Sequence, residues 1–223
     1  EQSAKNDGMH FDLAGRDEGG KQNLQQILGP AKYAPEMNES LLLVNANAIA
    51  RQLFGPEAKM GIGHAILKPA GHGVATPWHQ DAAYWSPEHD STHQISIWVP
   101  LQDTPVEMGC MQFVPRSHAT EEIWRHQHIN NDPKIHGLEL HESEMHRVKN
   151  VAICPLKAGG ATVHGGFELH YTAPNRSTEP RRALIIMGGL PPKKRATPRD
   201  LFWQKETQTW HGEKRKELET VKA

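Results

Sequence analysis

The segment Pro77-Trp78-His79-Gln80-Asp81 places an imidazole and a carboxylate two residues apart, between short apolar runs. In extended backbone, residues two apart project to the same side, so His79 and Asp81 can bind one ion from a single strand end. A second imidazole from elsewhere would complete a two-histidine, one-carboxylate set, which leaves coordination positions open and suits Fe(II). Because the chain contains 15 histidines, the triplet alone is weak evidence. It predicts a metal site at a strand end if other motifs agree.

Short strands are predicted on both sides of this segment. Residues Gln94–Leu101 alternate, with three β-branched residues on one face and Ser96 and Trp98 on the other. Other predicted strands are Gly61–Lys68, Met111–Val114, Val151–Cys154, Ala161–His164, Phe167–Tyr171 and Arg182–Met187. Short strands separated by Gly and Pro turns predict a mainly β fold with flanking helices, and a jelly roll is the common solution. We expect one domain over residues 1–223, with its β core at about 61–190.

The flanking segments carry weaker patterns. Leu41–Phe54 has spaced apolar residues and reads as a helix, or as a strand followed by a helix. After Pro198, residues 199–221 predict a solvated helix of mixed charge. Residues 119–147 form a polar, histidine-rich insertion, which we expect to be a solvated loop, with a substrate lid as the alternative.

The composition limits the possible partners. The formal net charge is −1, so bulk charge favours neither a nucleic acid nor a membrane surface, and a small-molecule substrate is expected. The two cysteines, Cys110 and Cys154, form no paired motif, which is typical of a reducing compartment and predicts a cytoplasmic location. No apolar run has the length of a membrane span, and no signal-peptide pattern is visible in a chain that begins at Glu1.

A distal histidine and a basic residue follow at the end of the β region. His170 ends a predicted strand and is the favoured third ligand, with His164 as its competitor. Arg181 lies eleven residues later, across a turn, and its planar guanidinium can pair with the distal carboxylate of a dicarboxylic acid such as 2-oxoglutarate. Arg176 and Arg182 are the alternatives for this role.

Four ordered motifs resemble the phytanoyl-CoA dioxygenase family, a branch of the Fe(II)/2-oxoglutarate oxygenases, between about Gly63 and Gly189. They are Trp78-His79-Gln80-Asp81, Ile97-Trp98-Val99-Pro100-Leu101-Gln102-Asp103, Met108-Gly109-Cys110-Met111-Gln112-Phe113-Val114-Pro115-Arg116-Ser117-His118, and His170-Tyr171-Thr172-Ala173-Pro174-Asn175-Arg176-Ser177 followed by Pro180-Arg181-Arg182-Ala183-Leu184. One departure is Arg116, where relatives usually carry glycine. It requires either a different backbone angle or a separate purpose.

The resemblance implies a double-stranded β-helix, a cupin-like variant of the jelly roll. It also implies a catalytic site that uses Fe(II), 2-oxoglutarate and O2. By motif position, His79, Asp81 and His170 would ligate iron, and Arg181, Thr172 and Trp98 would bind the co-substrate. The implied reaction is hydroxylation of a small molecule with release of succinate and CO2. Desaturation, epimerisation or cyclisation with the same cofactors, or a non-catalytic cupin-like metal-binding protein, are the alternatives. The carboxylate at Asp81 favours oxidation over halogenation, since related halogenases have a small residue there.

Residues near the metal motif are candidates for the substrate pocket. Trp78, Tyr84 and Trp85 flank the motif, and ordinary core packing is the competing interpretation. His72 lies in Gly71-His72-Gly73, where a mobile lip over the site competes with a plain surface loop.

Overall fold

The computed structural model describes residues 7–15, 22–209 and 212–213. Strands in this part of the chain are β1 (His10–Asp12), β2 (Gln25–Leu28), β3 (Lys59–Lys68), β4 (Thr76–His79), β5 (His89–Asp90), β6 (Gln94–Pro100), β7 (Met111–Phe113), β8 (His126–His128), β9 (Leu138–Leu140), β10 (Ala152–Cys154), β11 (Thr162–Gly165), β12 (His170–Thr172), β13 (Arg181–Gly189) and β14 (Lys193–Lys194). Two α-helices, α1 (Leu41–Phe54) and α2 (Phe202–Glu206), accompany them. Short 3-10 segments lie at Pro30–Lys32, Pro35–Glu39, Asp81–Tyr84, Val106–Met108, Ser117–Thr120, Ile129–Asn131 and Glu142–Arg147.

The strands form two facing antiparallel sheets. Among the described residues, the major sheet has the order β1-β2-β3-β13-β6-β11, and the minor sheet has the order β10-β7-β12-β4. Two-stranded ribbons, β14-β5 and β8-β9, lie outside them. This mainly β architecture confirms the predicted fold class, the double-stranded β-helix.

The centre of the major sheet is buried on both faces. Ile95, Ile97 and Val99 of β6 pack with Ala46 and Ala50 of α1, so the alternating face predicted from the sequence lies under the helix. The opposite face points between the sheets. There, Trp98 of β6 and Ala183 and Ile185 of β13 pack with Met111 and Phe113 of β7 in the minor sheet. The space between the sheets is therefore the place where polar side chains of both sheets can meet.

Most predicted strands are present, with observed ends within three residues of the predicted ends. The predicted helix Leu41–Phe54 is confirmed. Ser40 begins this helix by accepting a hydrogen bond from the Leu43 amide through its side chain. The major sheet, however, also includes β1 and β2, which lie before the expected β core at 61–190. Met9 and Leu13 continue the hydrogen bonding of this hairpin to Leu28 and Leu24.

The prediction of one helix over 199–221 is wrong for the described residues. Leu201 has non-helical dihedral angles, and the helix ends at Glu206 before an extended Thr207. The chain leaves the helix because Gln208 donates its amide hydrogen to the Pro133 carbonyl and binds the insertion instead. Most of the predicted helix after residue 209 lies outside the described residues.

The prediction of a solvated loop over 119–147 is also wrong for much of that segment. It contains β8 and β9, and Trp124, His126 and Leu140 are among its buried side chains. Trp203 of α2 packs against it through Leu138. No helix in the part of the chain that the structure describes has the length and apolarity needed to cross a membrane.

Ile186 tests the packing between β13 and α1. Its side chain is 0% exposed in the cluster under the helix, so Ile186→Ala should lower the free energy of unfolding by about 2–5 kcal/mol. The control Val163→Ala removes an exposed side chain from edge strand β11 and should cost less than about 1 kcal/mol. Urea denaturation of both variants provides the measurement. Equal losses would contradict this account of the core.

Candidate active site

Two histidines face each other across neighbouring strands. His79 of β4 and His170 of β12 are direct antiparallel partners, and their ring centroids are 4.2 Å apart. Each Nδ1 hydrogen-bonds the carbonyl two residues earlier, at 2.7 Å to Pro77 and 2.8 Å to Glu168. These bonds place the proton on Nδ1, so both Nε2 atoms present a lone pair to the same point.

Asp81 completes the cluster. It begins the 3-10 segment after β4, and its Oδ1 lies 3.8 Å from Nε2 of His79 and 3.5 Å from Nε2 of His170. The three ligand atoms all lie within 4.8 Å of one another. Oδ2 is the oxygen farther from His79 and His170, and it accepts a hydrogen bond of 2.5 Å from Ser96 Oγ. The carboxylate is thus oriented with one oxygen toward the histidines and the other held by β6.

Burial and mutual charge shift the pKa values of these groups. Burial lowers the pKa of His79 to about 3, and the neighbouring His170 adds to this effect. Burial alone would raise the pKa of Asp81, but His170 and His164 hold it well below its ordinary value. Burial would lower the pKa of His170, and the Asp81 carboxylate reverses this and raises it. The carboxylate therefore stays ionised at neutral pH, as a metal ligand must.

His164, the competitor for the distal position, lies behind the carboxylate. Its Nε2 is 3.5 Å from Oδ2 of Asp81, the oxygen that already accepts from Ser96. Neither ring nitrogen of His164 has a hydrogen-bond partner among the described residues. The triad of mutually close ligand atoms contains His170 and not His164.

Arg181 places a buried cation in this region. It begins β13, is 1% exposed, and its guanidinium carbon lies 5.4 Å from the centroid of the Trp98 ring. Burial lowers its pKa to about 9, so it remains a cation at neutral pH. Its Nε and Nη1 have no hydrogen-bond partner within the described ranges. Arg176 and Arg182, the alternatives from the sequence, are exposed to solvent.

A fully buried lysine lies beside Arg181 and was not predicted from the sequence. Lys68 of β3 is the direct partner of Arg181 in the sheet. Its Nζ donates to Oγ1 of Thr172 (2.7 Å), to the Thr172 carbonyl (3.1 Å) and to the Ala173 carbonyl (2.9 Å). Thr172 in turn donates its hydroxyl hydrogen to Thr76. Lys68 therefore fixes the end of β12, the strand that carries His170.

One cavity of about 260 Å³ contains the triad and Arg181. The predicted co-substrate residues Thr172 and Trp98 lie in its wall, as do the predicted substrate residues Tyr84 and Trp85. The position of the Trp85 ring requires glycine at residue 166, since a Cβ atom there would lie 2.2 Å from the indole. Residues of the wall that sequence reasoning did not identify include Gln26, His64 and His136.

The other two predicted substrate residues do not line this cavity. Trp78 stacks on Tyr171 with ring centroids 5.1 Å apart and packs beside Val114 and Leu169 on the outer side of the minor sheet. It faces away because neighbouring residues in a strand project to opposite sides, and His79 faces inward. His72 hydrogen-bonds its own loop through the Ala70 carbonyl, outside the cavity wall.

Gln80 connects the metal segment to the insertion. It is fully buried, its side-chain amide donates to the Glu122 and Phe167 carbonyls, and its Oε1 accepts from the Trp124 amide. The backbone amide of Gln80 donates to Nε2 of His126 at 3.1 Å. The strand end that presents His79 and Asp81 is thereby fixed from both sides.

The loop that departs from the family pattern keeps a glycine-like backbone. Arg116 has φ 67° and ψ 12°, in the left-handed region that glycine adopts readily. The next residue, Ser117, accepts a hydrogen bond from the Leu169 amide, and His118 contacts the Glu168 carboxylate. The substitution therefore changes the side chain and leaves the support of β12 in place.

The residues present fit iron and 2-oxoglutarate. Two imidazole nitrogens and one carboxylate oxygen from one side match the donor set of a non-haem Fe(II) centre. The buried guanidinium with two unpaired N–H groups matches a planar carboxylate in the same cavity.

The chain matches the family described as Phytanoyl-CoA dioxygenase (PhyH) over residues 12–183, which confirms the predicted resemblance. Over 123 residues it is 29% identical to "Phytanoyl-CoA dioxygenase domain-containing protein 1 homolog" of Dictyostelium discoideum, covering 54% of this chain and 43% of that protein. Over 164 residues it is 23% identical to "Probable alpha-ketoglutarate-dependent hypophosphite dioxygenase" of Stutzerimonas stutzeri, covering 73% of this chain and 56% of that protein. The chain thus spans about half the length of the relatives that it matches by sequence.

A solved structure is also similar. EvdO2 from Micromonospora carbonacea var. aurantiaca is 36% identical, with a TM-score of 0.74 over 87% of this chain and 78% of that chain. A second structure of EvdO2 is complexed with 2-oxoglutarate. With the family match and the triad, these findings confirm the predicted cofactors, iron and 2-oxoglutarate.

The buried histidines predict acid sensitivity of the metal-free protein. Burial lowers the pKa of His64 and His126 to about 4 and that of His79 to about 3, so the unfolded chain binds more protons below pH 6.5. Unfolding free energy should therefore fall as the pH decreases from about 6.5 to 4, although the raised pKa of His170 opposes this trend.

His126 offers a direct test, because its Nε2 must accept the Gln80 amide hydrogen and cannot do so when protonated. His126→Leu should reduce the steepest slope of unfolding free energy against pH by about 1.4 kcal/mol per pH unit, which is the contribution of one proton. The exposed control His146→Gln should leave the profile as in the wild type. Urea denaturation from pH 4 to 7.5 measures both, and a flat wild-type profile would contradict the argument.

Proposed function

This chain belongs to the phytanoyl-CoA dioxygenase family, and we propose that it is an Fe(II)- and 2-oxoglutarate-dependent oxygenase that hydroxylates a small organic molecule. The products beside the hydroxylated substrate are succinate and CO2. The observation that carries the proposal is the buried Arg181, whose unpaired guanidinium shares one cavity with the His79–Asp81–His170 triad. A protein that only stores or senses a metal has no need of a carboxylate-binding cation there.

Each residue has a distinct role in this proposal. His79, Asp81 and His170 hold iron from one side and leave its other positions accessible from the cavity. Arg181 binds the far carboxylate of 2-oxoglutarate, and Trp98 supports the guanidinium with its ring face. When bound, iron and 2-oxoglutarate supply the oxidising chemistry with O2.

The surrounding protein orients these groups and excludes water. Ser96 holds the second oxygen of Asp81, which favours coordination through Oδ1 alone. Lys68 and Thr172 fix the end of β12, so the His170 ring keeps its position before any ligand arrives. The apolar walls, including Trp85 and Met187, exclude water from the reacting groups.

Replacing Arg181 tests the co-substrate role. Arg181→Ala should weaken 2-oxoglutarate binding by roughly 10- to 100-fold, because a hydrogen bond to a charged group contributes about 1.5–3 kcal/mol. Succinate formation in the absence of substrate should fall in parallel. The matched control is Arg182→Ala, which removes the exposed neighbouring guanidinium and should leave both quantities near wild type. Unchanged affinity in Arg181→Ala would show that another group binds the carboxylate.

Replacing the two adjacent histidines tests the choice of metal ligand. His170→Ala should abolish measurable Fe(II) binding in anaerobic equilibrium dialysis, because one of three ligands is lost. His164→Ala leaves the triad intact and should weaken binding by about tenfold, as expected for a group beside a ligand. The reverse order of effects would make His164 the third ligand.

A further inference from the structure

One wall of the active-site cavity comes from the N-terminal part of the major sheet. On β2 and β3, Gln26 is paired with Ile66 and Leu28 is paired with His64, and all four side chains line the cavity. Gln26 and His64 are therefore diagonal neighbours on one sheet face, with Cβ atoms roughly 7–8 Å apart. They place two polar groups in a wall that is otherwise apolar.

Gln26 is buried and incompletely paired. Its residue is 6% exposed, and its Oε1 has no hydrogen-bond partner among the residues that the structure describes. Buried polar atoms in folded proteins are nearly always paired, and exceptions need an explanation such as a ligand. Because the side chain lies in the cavity wall, a molecule bound in the cavity can supply the missing donor.

His64 lies in the same wall and is uncharged at neutral pH, since burial lowers its pKa to about 4. A neutral imidazole offers one N–H donor and one nitrogen acceptor. The triad ligands are His79, Asp81 and His170, so His64 is not required for iron.

His64 occupies a position in the sheet that is well separated from that of Arg181. Arg181 is the sheet partner of Lys68, which follows His64 by four residues on β3. Four residues of strand span roughly 13 Å, well beyond one hydrogen bond. The backbone positions of His64 and Arg181 are therefore far apart, and Gln26, the partner of Ile66, lies between them along the strand direction.

We propose that Gln26 and His64 form a subsite for the primary substrate, which is an uncharged molecule with a hydroxyl group beside an apolar part. The subsite rests on the proposed function and extends it to a class of substrate. Among the lysine, arginine, aspartate and glutamate residues, the described cavity wall contains Arg181 and Asp81, which the proposed function assigns to 2-oxoglutarate and iron. A charged substrate group would be buried in this wall without an opposite charge, which is costly. Leu28, Ile66 and Trp85 suit the apolar part.

Four probes that share one ring separate the possibilities: benzyl alcohol, toluene, benzoate and benzylammonium. The full chain is loaded with Fe(II) and 2-oxoglutarate without O2, and binding is measured from the broadening of probe proton resonances by the paramagnetic iron. Benzyl alcohol should bind more tightly than benzoate or benzylammonium. The ratio of the toluene to the benzyl alcohol dissociation constant reports the polar contact itself.

Gln26→Leu replaces the amide side chain with a somewhat shorter apolar one. It should lower that ratio about fivefold, the effect of one neutral hydrogen bond. His64→Leu should act in the same direction, and serves as the second variant if Gln26→Leu does not fold. Gln25→Leu is the matched control, because it alters the same strand outside the cavity wall, and its ratio should equal that of the wild type.

If Gln26→Leu and His64→Leu both fold and their ratios of dissociation constants equal that of the wild type, the subsite is overturned. Tighter binding of benzoate or benzylammonium than of benzyl alcohol would overturn the substrate class. The visible charge-transfer absorption of the wild-type protein with Fe(II) and 2-oxoglutarate tests the proposed function separately. If that absorption forms and the probes do not discriminate, the subsite alone is wrong. If it does not form, the proposed function fails first.

Discussion

The site depends on one backbone constraint, the antiparallel pairing of β4 with β12. This pairing sets His79 directly opposite His170 and gives both rings the same local support, a hydrogen bond from Nδ1 to the carbonyl two residues earlier. A shift of one residue would turn one imidazole to the outer side of the sheet. The buried Leu169 and the Gln80 network resist such a shift, because both lie next to a ligand and are anchored to other segments.

Segments at the periphery of the β core contribute further residues to the site and its cavity wall. The insertion binds the metal segment through His126 and Gln80, and the Leu138 amide donates to the Tyr84 hydroxyl in the cavity wall. The N-terminal hairpin adds Gln26 from the opposite side. In the proposed function, iron and co-substrate are held by the central strands, while more peripheral segments shape the remaining space.

The sequence predicted those parts of the site that depend on short-range pattern. Period-two alternation located β6, and the spacing of His79 and Asp81 located the metal segment. The same alternation, applied to Trp78, would have placed it on the outer face. Gln26 and His64 could not be recognised in this way, because their proximity on one sheet face depends on the register between β2 and β3. The end of α2 likewise depends on a contact with Pro133, which is distant in sequence.

Two buried cations, Lys68 and Arg181, face each other in neighbouring strands, and their hydrogen bonding separates their roles. Lys68 donates to three oxygens of Thr172 and Ala173, so the protein itself satisfies the ammonium group. Arg181 keeps two buried N–H groups unpaired, which lowers stability until an acceptor binds. A fold under selection for stability alone would pair both cations. The unpaired guanidinium therefore supports the proposed binding of an anion with two oxygens in one plane.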